Sequence, residues 1–557
     1  MKHHLFVFLL AGFFSTALIS CKKDISANPQ SSNAEISGLS CEAWQANPGL
    51  LAGIAYSDTL LLPYSGGNGK SFQSGDTIRF NGVQVVLQKG ILENGNGNLK
   101  LAVWGTPVSI GASAFTFSFA GKSCQLELQT GNPDTLQYDA PFSGVPDRND
   151  AAIYQVNMRI FSNSGNFQGV TDRLDSIQKM GVNVLYLMPI YPLGILKAIN
   201  SPYCVRSYNS INPEFGNIDD LRQLVKAAHQ RNIAVMLDWV GNHTAWDHEW
   251  ISNHRDWYLH DAGGNPVSPP STNWTDVAQL NLSKQEMRLE MIKNMKSWIY
   301  KTNVDGFRYD YADGIPFDFW KQVIDSLRQM PNRKLLLLAE GSRNNHFVAG
   351  FDFTFGFAFF NKMKTIFGSN ASANDLNALN FSEFSAATNG QQVVRYTSNH
   401  DVNGSDGTPL ELFKGMQGSL TAFTIAALMK GVPMLYGGQE TGTSSRFYFP
   451  FTGANINWSL NPGFASKYRQ ILSIRNSIAA IRYAEPQNFS TADVVAFSKE
   501  WQGEKVLVLI NVRNTNQSIS IPAAWANQTW TDASTGNSIS LGSSYDLSPY
   551  ASLILKN

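Results

Sequence analysis

From Ala152 to Tyr483 the chain alternates short apolar runs with longer stretches whose apolar residues recur at the i, i+3, i+4 spacing of an amphipathic helix. The short runs predict eight strands, Ile153–Phe161, Asn183–Met188, Ala234–Trp239, Val304–Asp310, Leu335–Glu340, Phe351–Thr354, Val393–Ser398 and Pro433–Tyr436. Between them, Thr171–Met180, Ile218–Gln230, Lys284–Tyr300, Phe317–Met330 and Leu412–Met429 read as helices. Eight parallel strands with right-handed helical crossovers make an α/β fold, the (β/α)8 or TIM barrel, whose chemistry sits at the C-terminal ends of the strands. The barrel is placed at residues 148–483. The stretch from about 244 to 281 is too long for a plain βα loop and reads as an excursion after the third strand.

The flanks follow a different pattern. Over 41–147 short runs alternate apolar and polar residues (Thr77–Phe80, Val83–Leu87, Leu99–Trp104, Phe115–Phe119, Cys124–Leu128). Gly66-Gly67-Asn68-Gly69 and Asn94-Gly95-Asn96-Gly97 read as turns between them, which predicts a small antiparallel β-domain. The segment Leu62–Gly69 resembles a Gly-rich β-repeat of bacterial surface proteins, which implies a spacer before a glycan-binding role. Over 484–557, alternating runs such as Val506–Val512 and Ser518–Ile521 predict a C-terminal β-sandwich.

At the N-terminus Lys2, His3 and His4 precede an uncharged run, Leu5–Ile19, which is shorter than a spanning helix needs and reads as a secretory signal. Leu18-Ile19-Ser20-Cys21 resembles the lipobox of bacterial lipoproteins. That resemblance implies a signal over 1–21, lipidation of Cys21, a tether over 22–40, and a secreted protein anchored by lipid at the outer membrane or cell surface. An exported protein can keep a disulfide. Cys41 and Cys124 share the N-terminal region and form one open pairing, with Cys204 then a reduced packing residue.

Composition narrows the partner. Across 557 residues, 43 basic and 43 acidic side chains cancel, and the hydrophobic fraction is 43%, which excludes a disordered chain. Without a basic surplus there is no footprint for nucleic acid. An uncharged ligand is expected, and 13 Trp, 19 Tyr and 34 Phe leave rings for stacking on sugar faces.

Several predicted strands end in polar residues. The third gives Asp238-Trp239-Val240-Gly241-Asn242-His243, the fourth Gly306-Phe307-Arg308-Tyr309-Asp310, the fifth Leu335–Leu338 followed by Ala339-Glu340, and the seventh Ser398-Asn399-His400-Asp401. Arg308 and Asp310 stand at i, i+2 and share a face. Three carboxylates in one pocket raise each other's pKa and are costly unless used. Retaining glycoside hydrolysis uses one as nucleophile and another as acid/base about 5–5.5 Å away. Arg308 is expected to hold Asp310 ionised, while desolvation after the leucines is expected to keep the proton on Glu340.

These four segments resemble the signature regions of the α-amylase family, glycoside hydrolase family 13. The resemblance implies Asp310 as nucleophile, Glu340 as general acid/base and Asp401 as transition-state stabiliser. It implies that Arg308 positions the nucleophile, that Asp238 supports Arg308, that His243 and His400 hydrogen-bond the sugar, and that Tyr203 stacks beneath it. The implied partner is an α-glucan such as starch or maltodextrin. Trp246, Trp250 and Trp274 read as packing residues before sugar platforms.

The family's Ca2+ site uses an Asn, an Asp and a His. Asn242 matches the first, but Gln279 stands in place of the Asp and Gly314 in place of the His. No cofactor is expected to be required. Two alternatives share these residues: a surface glycan-binding protein with weak catalysis, and a transglycosidase or pullulan- or cyclodextrin-hydrolysing relative.

Overall fold

The computed structural model describes residues 33–44, 50–53, 56–131 and 138–557. The expected signal, Cys21 and most of the tether lie outside them. The described residues form two units, 33–131 and 138–557.

In the first unit a five-stranded antiparallel sheet and the hairpin Gly111–Phe119/Lys122–Thr130 enclose a core that includes Leu62, Val85, Leu99, Val103, Phe117 and Leu128. Cys41 and Cys124 are joined by a disulfide, Cα–Cα 5.5 Å. Two expectations are corrected here. The sheet begins before Cys41, since Ala34 and Ile36 are buried and Gly38 pairs with Ser65. The two Gly-Asn segments are not turns. Residues 66–68 and 94–97 lie inside the long strands Tyr56–Asn68 and Asn94–Gly105, with Gly69 in a bend just past the first, and Gly67 pairs with Gly95 and Asn68 with Asn94. The reason is the Tyr64 ring, which lies over this glycine seam. A Cβ on Gly97 would come within 2.4 Å of the Tyr64 hydroxyl, and that hydroxyl accepts from the Glu93 N–H at 2.7 Å.

The second unit is built on a closed parallel barrel of β1 (Ile153–Val156), β2 (Val184–Leu187), β3 (Ala234–Trp239), β4 (Gly306–Tyr309), β5 (Leu336–Ala339), β6 (Phe353–Phe355), β7 (Gln392–Tyr396) and β8 (Val432–Tyr436). β8 pairs back onto β1, with Ile153 opposite Met434. Each strand lies where its apolar run predicts, although the first ends at Val156 and Met158–Phe161 is a helical turn. The helices follow their amphipathic stretches. Ile218–His229 starts at a capping box: the Asn217 side chain accepts from the Asp219 and Asp220 N–H groups, and Asp220 accepts from the Asn217 N–H.

Residues 138–147, expected to close the N-terminal domain, bond to the barrel instead. The Tyr138 N–H donates to the Tyr300 carbonyl, and Lys334 Nζ donates to that of Val145. The excursion stands on a two-stranded stem, His243–Ala245 against Val277–Gln279. After Ala479–Tyr483 the chain becomes all strand, forming a six-stranded and a two-stranded sheet around Leu507, Leu509, Trp530 and Leu555. Among the described residues no helix is long and apolar enough to cross a membrane.

Candidate active site

β4 and β5 pair from their first residues, Gly306 opposite Leu336. A Cβ on Gly306 would come within 1.9 Å of the Leu336 carbonyl oxygen, so glycine at this point allows the approach. The strand ends that follow carry Asp310 and Glu340.

Arg308 lies between them, fully buried. Its Nη1 meets Asp238 Oδ1 at 2.6 Å and Asp310 Oδ1 at 3.1 Å, and its Nη2 is ion-paired with Glu340 Oε1. One guanidinium therefore faces three carboxylates from three neighbouring strands. Asp238 is saturated, since its Oδ2 also accepts from the hydroxyls of Tyr186 (2.6 Å) and Tyr203 (3.2 Å). Glu340 Oε2 accepts from the Tyr311 N–H at 2.8 Å, so the backbone just past Asp310 fixes the neighbouring acid.

Burial pushes the Asp310 carboxyl well up. Arg308 opposes the rise, while Glu340, Asp238 and Asp401 add to it. Asp238 is likewise pushed up to about 6 by burial, against Arg308 and Tyr186. The expected division of labour is thus altered. Burial outweighs Arg308 at Asp310, and Glu340 reaches past the leucines to the guanidinium instead of sitting in an apolar pocket.

Asp401 is the second residue of the short helix His400–Ser405, capped by the Asn399 side chain, which accepts from the Asp401 and Val402 N–H groups at 2.9 Å each. The polar atoms of Glu340, His400 and Asp401 lie within 4.8 Å of one another. His400 is held from both ends: Gln155 Nε2 donates to its Nδ1 at 2.8 Å, and its Nε2 lies 2.7 Å from the Tyr203 hydroxyl. Because an amide nitrogen only donates, the ring proton is on Nε2, and Tyr203 accepts from His400 and donates to Asp238. Burial and the Arg308 charge push His400 down to about 3, and burial pushes His243 down to about 4.

Tyr203, His243, Asp310, Glu340, His400 and Asp401 all line one cavity of about 1110 Å3, with Arg308 and Asp238 beneath its floor. Of the three tryptophans, Trp250 packs between Tyr208, His248 and Trp257. Trp246 lies under Lys197 Nζ, and Trp274 lines the cavity.

Asn242 is engaged elsewhere. Its Nδ2 donates to Gln279 Oε1 at 3.1 Å, and Gln279 Nε2 lies 2.9 Å from the Asn242 carbonyl and 3.1 Å from its Oδ1. Two neutral amides satisfy each other at that position, and at Gly314 a Cβ would lie 2.1 Å from the Tyr311 ring. A hard cation wanting six to eight oxygens does not fit this donor set.

Sequence reasoning missed Gln155, Tyr186 and Tyr311. The first two lie inside apolar strand runs with no motif around them. Tyr311 was visible only as the residue after Asp310, although its left-handed backbone (φ 45°) is unusual for a bulky side chain.

Residues 145–470 match the family model described as the alpha amylase catalytic domain. Alpha-amylase 3 of Dictyoglomus thermophilum is 25% identical over 439 residues, covering 67% of this chain and 86% of its own. A cyclomaltodextrinase of Thermoanaerobacter pseudethanolicus is 24% identical over 373 residues, covering 62% of this chain and 63% of its own. The crystal structure of a noncanonic maltogenic alpha-amylase AmyB from Thermotoga neapolitana shares the fold, with TM-score 0.66 and 24% identity, covering 73% of this chain and 99% of that one.

Proposed function

Since the chain belongs to the alpha-amylase family of glycoside hydrolases, we propose that it cleaves α-glucosidic bonds of starch, maltodextrin or a related α-glucan with retention, through a covalent glycosyl-enzyme intermediate. The observation that carries this reading is the sharing of the Arg308 guanidinium by Asp310 and Glu340. Two carboxylates on one guanidinium are close together, which suits a nucleophile and an acid/base that act on one bond, and leaves little room for the intervening water of an inverting enzyme.

In this reading Asp310 Oδ attacks the anomeric carbon as the glycosidic C–O bond breaks, and Glu340 gives its proton to the departing oxygen. Glu340 then takes a proton from water, which displaces Asp310 and restores both groups. Three carboxylates share the charge of one guanidinium, which is ion-paired with both Asp310 and Glu340. A glycosidic oxygen beside Glu340 can accept a hydrogen bond only from the protonated acid, while the Arg308 charge favours the ionised form of Asp310. Asp401 faces the positive charge that develops on the ring. His243 and His400, held neutral by burial, contribute hydrogen bonds, and Tyr203 supplies a ring face.

The amide pair at Asn242 supports catalysis without calcium. The Cys41–Cys124 disulfide suits an oxidising compartment and so supports export, and lipidation at Cys21 rests on the resemblance of Leu18-Ile19-Ser20-Cys21 to a lipobox. Release of reducing ends from soluble starch tests the hydrolase reading. Wild-type turnover that is lost in Asp310→Asn is expected, and tight glucan binding without turnover would favour a glycan-binding protein instead.

A further inference from the structure

Buried carboxylates in this molecule are compensated. Asp305 meets His229 Nε2 at 2.8 Å, Asp352 meets Arg148 and Arg328, Glu440 accepts from Tyr154, and Asp532 accepts from Thr535. Asp276 differs. It is only 4% exposed, yet among the described residues neither of its carboxylate oxygens meets a donor from any other residue. A buried charge left this way costs stability unless something outside the protein completes it. What it faces is the substrate cavity, which Asp276 lines beside Trp274 and Val277.

The backbone around it is pinned. Trp246 Nε1 donates to the Thr275 carbonyl at 3.0 Å, Cys204 Sγ to the Asp276 carbonyl at 3.3 Å, and the Thr272 hydroxyl to the Pro269 carbonyl at 2.8 Å. A preorganised acceptor beside an aromatic ring is the recognition pair for a pyranose, which offers hydroxyl donors at its edge and C–H groups on its face. The position also has a direction. The Trp274 ring sits edge-on to Tyr311 at 5.0 Å, and the Tyr311 N–H holds Glu340, the group assigned to protonate the leaving oxygen.

We propose that Asp276, with Trp274, forms a sugar-binding subsite on the leaving-group side of the cleaved bond, in which the carboxylate accepts hydrogen bonds from the hydroxyls of the departing glucosyl unit. The assignment rests on the glycosidase reading above. It makes the excursion a selector of glucan leaving groups, and it accounts for an acid that the protein itself does not neutralise.

The test compares kcat/KM on maltohexaose, whose leaving group is a sugar, with kcat/KM on α-maltosyl fluoride, whose leaving group is not. The ratio of the two is expected to fall tenfold or more in Asp276→Ala and by a smaller factor in Asp276→Asn. The melting temperature of Asp276→Asn is expected to match or exceed that of the wild type, because the substitution removes an uncompensated buried charge without changing shape. A ratio within twofold of wild type in both variants would overturn the proposal, and so would a lowered melting temperature for Asp276→Asn, which would reveal a structural partner. A wild-type enzyme that cleaves neither substrate would instead overturn the glycosidase reading itself.

Discussion

The floor of the cavity and its outer wall handle charge in opposite ways. On the floor, Asp238, Asp310 and Glu340 converge on the Arg308 guanidinium, which opposes their charge. On the wall, Asp276 meets no donor from any other described residue, and in the stem of the excursion two neutral amides, Asn242 and Gln279, bond to each other where a cation site would fall. Groups that must change protonation during a reaction are held inside a network that can absorb the change. Groups that recognise a neutral ligand are left open, because the ligand completes them. The same side-chain type, an aspartate at the mouth of a barrel, thus signals chemistry in one place and recognition in the other.

The largest effects that would break this contrast belong to the floor. Asp310→Asn and Glu340→Gln are each expected to lower kcat by several orders of magnitude with circular dichroism unchanged, since these groups act on the transition state. A variant with near-wild-type turnover would place the chemistry elsewhere. Next comes Arg308→Met, which leaves Asp238 and its neighbours uncompensated. Denaturant titration is expected to show a loss of about 3–5 kcal/mol, the usual cost of removing one partner of a buried ion network.

The histidines give a smaller effect and a sharper one. With their pKa pushed down from 6.5 to about 4 and about 3, His243 and His400 stay neutral through the working range, while the unfolded chain takes up protons below 6.5. Their burial therefore withdraws stability as pH falls from about 6.5 towards 4. It also means that the acid limb of kcat/KM belongs to the carboxylates. His243→Asn and His400→Asn should each lower kcat/KM by a factor corresponding to about 1–3 kcal/mol, the cost of a lost buried hydrogen bond. Neither should move the acid limb of the pH profile. The smallest effect is expected at the Asn242–Gln279 pair: a chelator should leave both melting temperature and turnover on starch unchanged, and a drop in either that is abolished in Asn242→Ala would show that this pair does accommodate a cation.

The barrel was legible because its signals are redundant. Apolar runs such as Val184–Leu187 and Leu336–Ala339 alternate with helices whose spacing and caps agree with them, and the site residues follow the strand ends in order. The N-terminal sheet was legible only in part, because Gly67 and Gly95 carry the local signature of turns. Their pairing is set by Tyr64, whose ring covers a seam that no local pattern announces. In the site, the motif-bearing residues were legible. Tyr186 and Gln155 were not, since a polar group inside a barrel strand reads as part of an apolar run until its partner from another strand is seen. Asp276 escaped for the opposite reason, because what distinguishes it is the lack of a partner, and only the fold reveals that. The electrostatics of Asp310 were also misjudged from sequence, where a neighbouring Arg is visible but the depth of burial that outweighs it is not.

The central claim is that Asp310 forms a covalent bond to the sugar. Incubating the enzyme with 5-fluoro-α-maltosyl fluoride, which slows hydrolysis of such an intermediate, and mapping the labelled peptide by mass spectrometry tests it directly. A glycosyl adduct on Asp310 is the predicted result. Turnover of this reagent with no adduct, or an adduct on any other carboxylate, would contradict the account.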